Sequence, residues 1–170
     1  MIFIIIFVVT VIGAIVHLYI FQSAPRTKQR VVEVFLLYFL SVEWGFGAVL
    51  TAIPHILVPD RIANYIGWQT GSPFQIELGF ASLGLAILGI LSIWLRGWFW
   101  VAPAISRSVF LFGAAYVHIR EIVSRGNFSP GNAGPVLFFD IGVPLLVLGL
   151  LLAHIRMGGM AKKENARTSS

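Results

Sequence analysis

The stretch YVHIREIVSRGNFSPGN, residues 116–132, puts His118, Arg120 and Glu121 within four residues, at the end of a segment apolar enough to lie in a bilayer. Other segments bring Glu77, Asp140 and His55 to the same level. At a rise of about 1.5 Å per residue, Glu77, Asp140 and Glu121 lie roughly 7 Å from the outer ends of their helices, His118 roughly 12 Å and His55 about 5 Å. His118 and Glu121 are three apart and share a helix face, whereas Arg120 points elsewhere, toward the interface or a neighbouring carboxylate. Asn127 and Asn132 of the following loop cap the same region. An unpaired carboxylate in hydrocarbon costs about 3 kcal/mol or more, so these groups must face one another or a wet cavity.

Two imidazoles and three carboxylates at one depth suit a divalent metal such as zinc, manganese or iron, with His118, Glu121, Glu77, Asp140 and His55 as the ligand set. Glu and His at i, i+3 spacing do occur in carboxylate-bridged sites inside helix bundles. Here the order is His-x-x-Glu, the reverse of the usual one, and no second such motif is present. The competing reading is a hydrogen-bonded ion network, His118, Arg120 and Glu121 with Glu77 and Asp140, that fixes the rotation of the helices.

A second feature lies deeper. Glu43 falls about 18 Å from the inner end of its helix by helical rise. If the fourth helix starts at Gly97, Arg107 is about 15 Å inside it, and the two side chains form a mid-membrane ion pair. If that helix starts at Pro103, Arg107 sits in its first turns and snorkels to the interface, the reading slightly preferred here, and Glu43 is left as a proton-relay candidate.

The elements that carry these residues are read from hydropathy. Of 170 residues, 58% are hydrophobic and only 11% charged, too little polar surface for a water-soluble fold of this size. Apolar runs of about twenty residues recur without period-two alternation, so the fold class is all-α, a polytopic transmembrane bundle rather than a barrel. Five spans are expected at residues 1–21, 31–58, 73–95, 98–125 and 135–156, forming one domain over 1–157, with a polar, disordered cytoplasmic tail at 158–170. The first span lacks a basic leader and is read as an uncleaved helix. Pro54 should bend the end of the second. Tyr65 and Trp68 of the next connector suit the headgroup level. Ser72, Pro73 and Gln75 form a capping box for the third span. That span carries small residues on two faces, Gly79, Ser82, Ala86 and Gly89 opposite Ala81 and Gly84, and is expected to be the central helix.

The net charge of +5 belongs to span boundaries rather than to a nucleic-acid surface. Arg26, Lys28, Arg30, Arg96, Arg156, Lys162, Lys163 and Arg167 fall on one side, which places the N-terminus outside and the C-terminus in the cytoplasm. There are no cysteines, which excludes disulfides and thiolate chemistry. Asn127-Phe-Ser matches a glycosylation acceptor, but with Pro130 next and a short loop it reads as a chance match.

The block from YVHIRE through FFDIGVPLLVLGLL, together with ELGFASLGLAILGIL, resembles an uncharacterised family of small multi-spanning prokaryotic membrane proteins over residues 74–152. The resemblance implies a bacterial or archaeal plasma-membrane location and no assigned activity. It makes Glu77, His118, Glu121, Asn132, Gly134 and Asp140 signature positions. Three function classes follow. The first and favoured is an accessory or assembly subunit of a membrane complex, with other membrane subunits or further copies of itself as partners besides the lipid bilayer. The second is a small proton- or metal-coupled transporter, and the third a metal-dependent membrane enzyme. No nucleophile elbow, phosphate loop or nucleotide fingerprint names a reaction.

Overall fold

The computed structural model describes residues 2–21 and 25–160. These residues fold into six helices: α1 Ile2–Ile20, α2 Lys28–Leu57, α3 Pro59–Ile66, α4 Phe74–Leu91, α5 Gly97–Arg125 and α6 Pro135–Arg156. All but the short α3 are long and apolar enough to cross a membrane. Their starts follow local chemistry. Thr27 caps α2 by accepting the N–H of Arg30, and Pro59 and Pro135 open α3 and α6 where a missing N–H costs nothing. Gly67 and Gly126 close α3 and α5 in the left-handed conformation.

The capping box expected at α4 is only half made. Ser72 Oγ accepts the N–H of Phe74, but Gln75 does not fold back onto the cap. It is 3% exposed and its side chain turns inward to His55. Polar groups buried in an apolar bundle outcompete a local cap for such a side chain.

The central helix is α2, not the helix carrying the small-residue faces. One face of α4 (Gly79, Ser82, Ala86 and Gly89) is buried, while Glu77, Ala81 and Gly84 on the other are exposed. By contrast, Leu36, Leu37, Phe39, Leu40 and Trp44 of α2 form the main core with Trp100 and Ala104 of α5 and Val143, Val147 and Leu151 of α6. Small residues thus let α4 approach a single neighbour closely. Met160 is also buried in this core, and residues 161–170 of the expected tail lie outside the described residues. On the outside, α1 presents Ile4, Ile5, Val8, Val9 and Ile12 without cover, the surface an apolar solvent would accept.

Within α2, residues Phe39–Phe46 form a π-helix. Wider turns of this kind are rare and re-aim side chains within an otherwise regular helix. This one contains Glu43. Gly89 packs against its backbone so closely that a Cβ there would lie 2.5 Å from the carbonyl oxygen of Leu40 and 2.9 Å from the nitrogen of Gly45.

Backbone cannot step aside as a flexible side chain can. Gly89→Ala is therefore expected to destabilise the bundle by about 1–3 kcal/mol. Gly84→Ala, where a Cβ meets nothing within 4 Å, should be neutral or gain up to about 1 kcal/mol from helix propensity. Thermal unfolding of the two variants in detergent, followed by size-exclusion of the folded fraction, checks the contrast.

Candidate functional site

Each sequence-predicted polar residue has a definite place, and they do not form one group. Glu77 is exposed on the first turn of α4, and Arg120 is exposed on α5. Glu121 pairs with Arg125 one turn on, at 3.5 Å. His55 Nδ1 lies 2.7 Å from Gln75 Oε1, a local tie between α2 and α4. Among the described residues, no three of His, Asp and Glu converge into a group able to hold a metal.

His118 and Asp140 do come together, and with them the loop residue Asn132. Asn132 is fully buried. Its side-chain amide donates to the carbonyl oxygens of Asn127, at 2.9 Å, and His118, at 3.2 Å. Its Oδ1 faces His118 Nδ1 at 2.8 Å. Because both amide hydrogens are spent on carbonyls, Oδ1 can only accept, and His118 Nδ1 must carry a proton. The opposite nitrogen, Nε2, then faces Asp140 Oδ2 at 3.7 Å. At that separation the two are in electrostatic contact but beyond hydrogen-bond range. Trp68 stacks on the His118 ring at 6.1 Å, and the half-buried indole covers this site.

Asn127, the other loop asparagine, clasps the loop to α3. Its amide donates to Ile66 O at 3.0 Å and its Oδ1 accepts the N–H of Ser129. A Cβ on Gly67 would collide with both Asn127 and Ser129, so only glycine admits this contact. With its amide committed, Asn127 is a structural residue of the loop.

From Asp140 the polar run continues inward. Asp140, Arg107 and Glu43 line one cavity of about 40 Å³, and Arg107 lies within electrostatic range of both carboxylates. A cavity of this size has room for a few waters. Arg107 is 7% exposed, so the expectation that it snorkels to the interface is wrong. The reason is that α5 starts at Gly97, which sets Arg107 ten residues inside the helix. Its Nη1 donates to Ser82 Oγ at 2.8 Å, and the guanidinium lies 5.0 Å from the Phe110 ring centroid. Nor is there a direct ion pair with Glu43: Glu43 Oε2 instead accepts from Thr10 Oγ1 at 3.1 Å. Thr10 and Ser82 were not singled out as polar partners by sequence reasoning. The available signal was a hydroxyl in an otherwise aliphatic run, VVTVIG in α1 and FASLG in α4.

The whole arrangement is thus a buried line of polar groups from α1 (Thr10), α2 (Glu43), α5 (Arg107, His118), α6 (Asp140) and the α5–α6 loop (Asn132). A family model matches residues 1–159. The chain belongs to DUF6790, a family of unknown function. That agrees with the expected uncharacterised family and extends the resemblance from residues 74–152 to nearly the whole chain. No curated protein and no solved structure matches it. For this DUF6790 member, the chemistry must therefore be argued from the line itself. Its groups can hold, share and pass protons, and they offer one guanidinium as a fixed positive charge.

Removing the amide at position 132 leaves His118 Nδ1 and two carbonyls without their partner. Asn132→Ala is expected to cost about 2–4 kcal/mol, from roughly 1–3 kcal/mol per orphaned buried group partly offset by relaxation. Thr10→Val keeps the shape but orphans one buried acceptor on Glu43, and should cost about 1–3 kcal/mol. Chemical denaturation in detergent ranks the two, and ¹⁵N spectra of the histidine ring in the intact chain should find Nδ1 protonated.

Proposed function

We propose that this protein is an integral membrane protein of five spans that acts as a small proton-coupled carrier, with Glu43, Arg107, Asp140 and His118 as its working groups. One observation carries the reading: two carboxylates and a guanidinium from three helices line a single cavity inside the apolar bundle, and one of those carboxylates meets a buried histidine. Each charged side chain at such a depth costs about 3 kcal/mol. A subunit that only holds a complex together through its surface gains nothing from that expense.

In this reading protons enter at the α5–α6 loop, where Asn132 fixes the His118 tautomer. They pass between His118 and Asp140 and reach the cavity between Asp140, Arg107 and Glu43. Arg107 keeps a positive charge beside the two carboxylates, so that the site gains and loses a proton without ever burying two uncompensated negative charges. The excess of Arg and Lys at the opposite end supports an extracytoplasmic position for the loop and a cytoplasmic C-terminus, and a cell membrane as the location.

The test is reconstitution into liposomes enclosing a pH-sensitive dye, with an imposed pH gradient and a potassium ionophore to clamp the potential. Wild type should dissipate the gradient faster than protein-free liposomes, with or without an added co-substrate. Asp140→Asn and Glu43→Gln should slow it roughly tenfold or more, a loss equivalent to about 1.4 kcal/mol in the barrier, while remaining folded by size-exclusion. Wild-type liposomes no leakier than empty ones, with both variants merely less stable, would sink the carrier reading. Proteins co-purifying at fixed stoichiometry would then make the chain an accessory subunit.

A further inference from the structure

A second cavity lies at the opposite end of the bundle and is independent of the proton line. It measures about 220 Å³ and is lined by Gln29 and Glu33 of α2, Arg96, Gly97 and Trp100 at the start of α5, and His154 of α6, with Gly159 closing it. These positions meet because α2 and α5 begin at this end while α4 and α6 finish there. His154 is 2% exposed and its Nδ1 has no hydrogen-bond partner. Its ring is packed against Trp100, with centroids 5.3 Å apart, and against Gly159, where any Cβ would collide with it. The ring itself lines the polar cavity, held at a fixed angle by these two contacts, while its Nδ1 is sealed from solvent.

The charges in the cavity are also under-used. Arg96 and Glu33 lie 3.6 Å apart, well beyond the 2.7–2.9 Å or so of a charge-assisted hydrogen bond. Arg96 Nε donates to the carbonyl of Ile93, which leaves the terminal guanidinium nitrogens facing the cavity with donors to spare. The other arginines of this end hold the α1–α2 connection: Arg26 donates to Leu18 O and Arg30 to Phe21 O. Beside the cavity, Trp94 and Trp98 are 67% and 66% exposed, on the connection where indole rings settle at the level of lipid headgroups.

We infer that this cavity binds the headgroup of a lipid carrying both a phosphate and a primary ammonium, of the phosphatidylethanolamine type. The phosphate takes hydrogen bonds from Arg96, Gln29 and His154, and the ammonium donates to Glu33. A purely anionic phosphate ligand would be repelled by Glu33, and a quaternary ammonium has no hydrogen to donate to it. Only a zwitterion with N–H donors uses every polar group of the cavity.

The intact chain in detergent is titrated with dioleoyl phosphatidylethanolamine, phosphatidylglycerol and phosphatidylcholine, and bound lipid is counted by native mass spectrometry. The ethanolamine lipid should bind as one copy and roughly tenfold or more tighter than either other lipid, the scale expected for one charge-assisted hydrogen bond. Glu33→Gln, at a partly exposed position that does not endanger the fold, should erase that preference, whereas Arg96→Gln should weaken the ethanolamine and glycerol lipids alike. Equal binding of all three lipids, or an unchanged preference in Glu33→Gln, overturns the inference. Soluble phosphoethanolamine competing at comparable concentration would support the same chemistry with a soluble source. Its failure to compete supports the lipid.

Discussion

A guanidinium cannot be neutralised, and Arg107 stands inside an apolar bundle where no water bath screens it. Much of the interior is arranged around that charge. Ser82 gives it one hydrogen bond from α4, Phe110 offers a ring face, and Glu43 and Asp140 set negative charge across a small cavity from two further helices. Holding the carboxylates at a distance leaves them other duties. Glu43 is tied to α1 through Thr10, and Asp140 reaches toward His118. In this way one cation links four long helices directly and the fifth, α1, through Glu43 and Thr10, and the loop joins through Asn132.

The backbone serves the same end. The π-helical turns of α2 carry Glu43, and α4 packs against them through Gly89 with no side chain between. That close approach is also what brings Ser82, two turns earlier on the same buried face, to the guanidinium. Steric economy at a glycine and electrostatic supply at a serine are therefore consequences of one helix contact.

The two ends of the bundle differ in kind. Toward the α5–α6 loop, Asn132 and Asn127 have their amides fully engaged and the loop is clasped to α3, while the buried indole N–H of Trp68 is left without a partner. Toward the start of α5, donors and acceptors are left over on Arg96, Glu33 and His154. The two cavities are separated by the aromatic core of Phe39, Trp44 and Trp100.

Hydropathy alone determined the all-helical class and the number and approximate limits of the long helices, because a run of twenty apolar residues has few other solutions. The sequence also singled out His118 and Asp140, since ionisable groups in such runs are conspicuous. It could not say which of them meet. Depth along a helix is read from residue number, but azimuth depends on packing, and packing sent Glu77 and Arg120 outward, turned Glu121 to Arg125 and paired His55 with Gln75. The start of α5 at Gly97 rather than Pro103, a shift of less than two turns, moved Arg107 from the interface to the centre. The π segment, the central position of α2, and the roles of Thr10 and Ser82 likewise arise only when helices press together, because each reflects a contact between residues far apart in the chain.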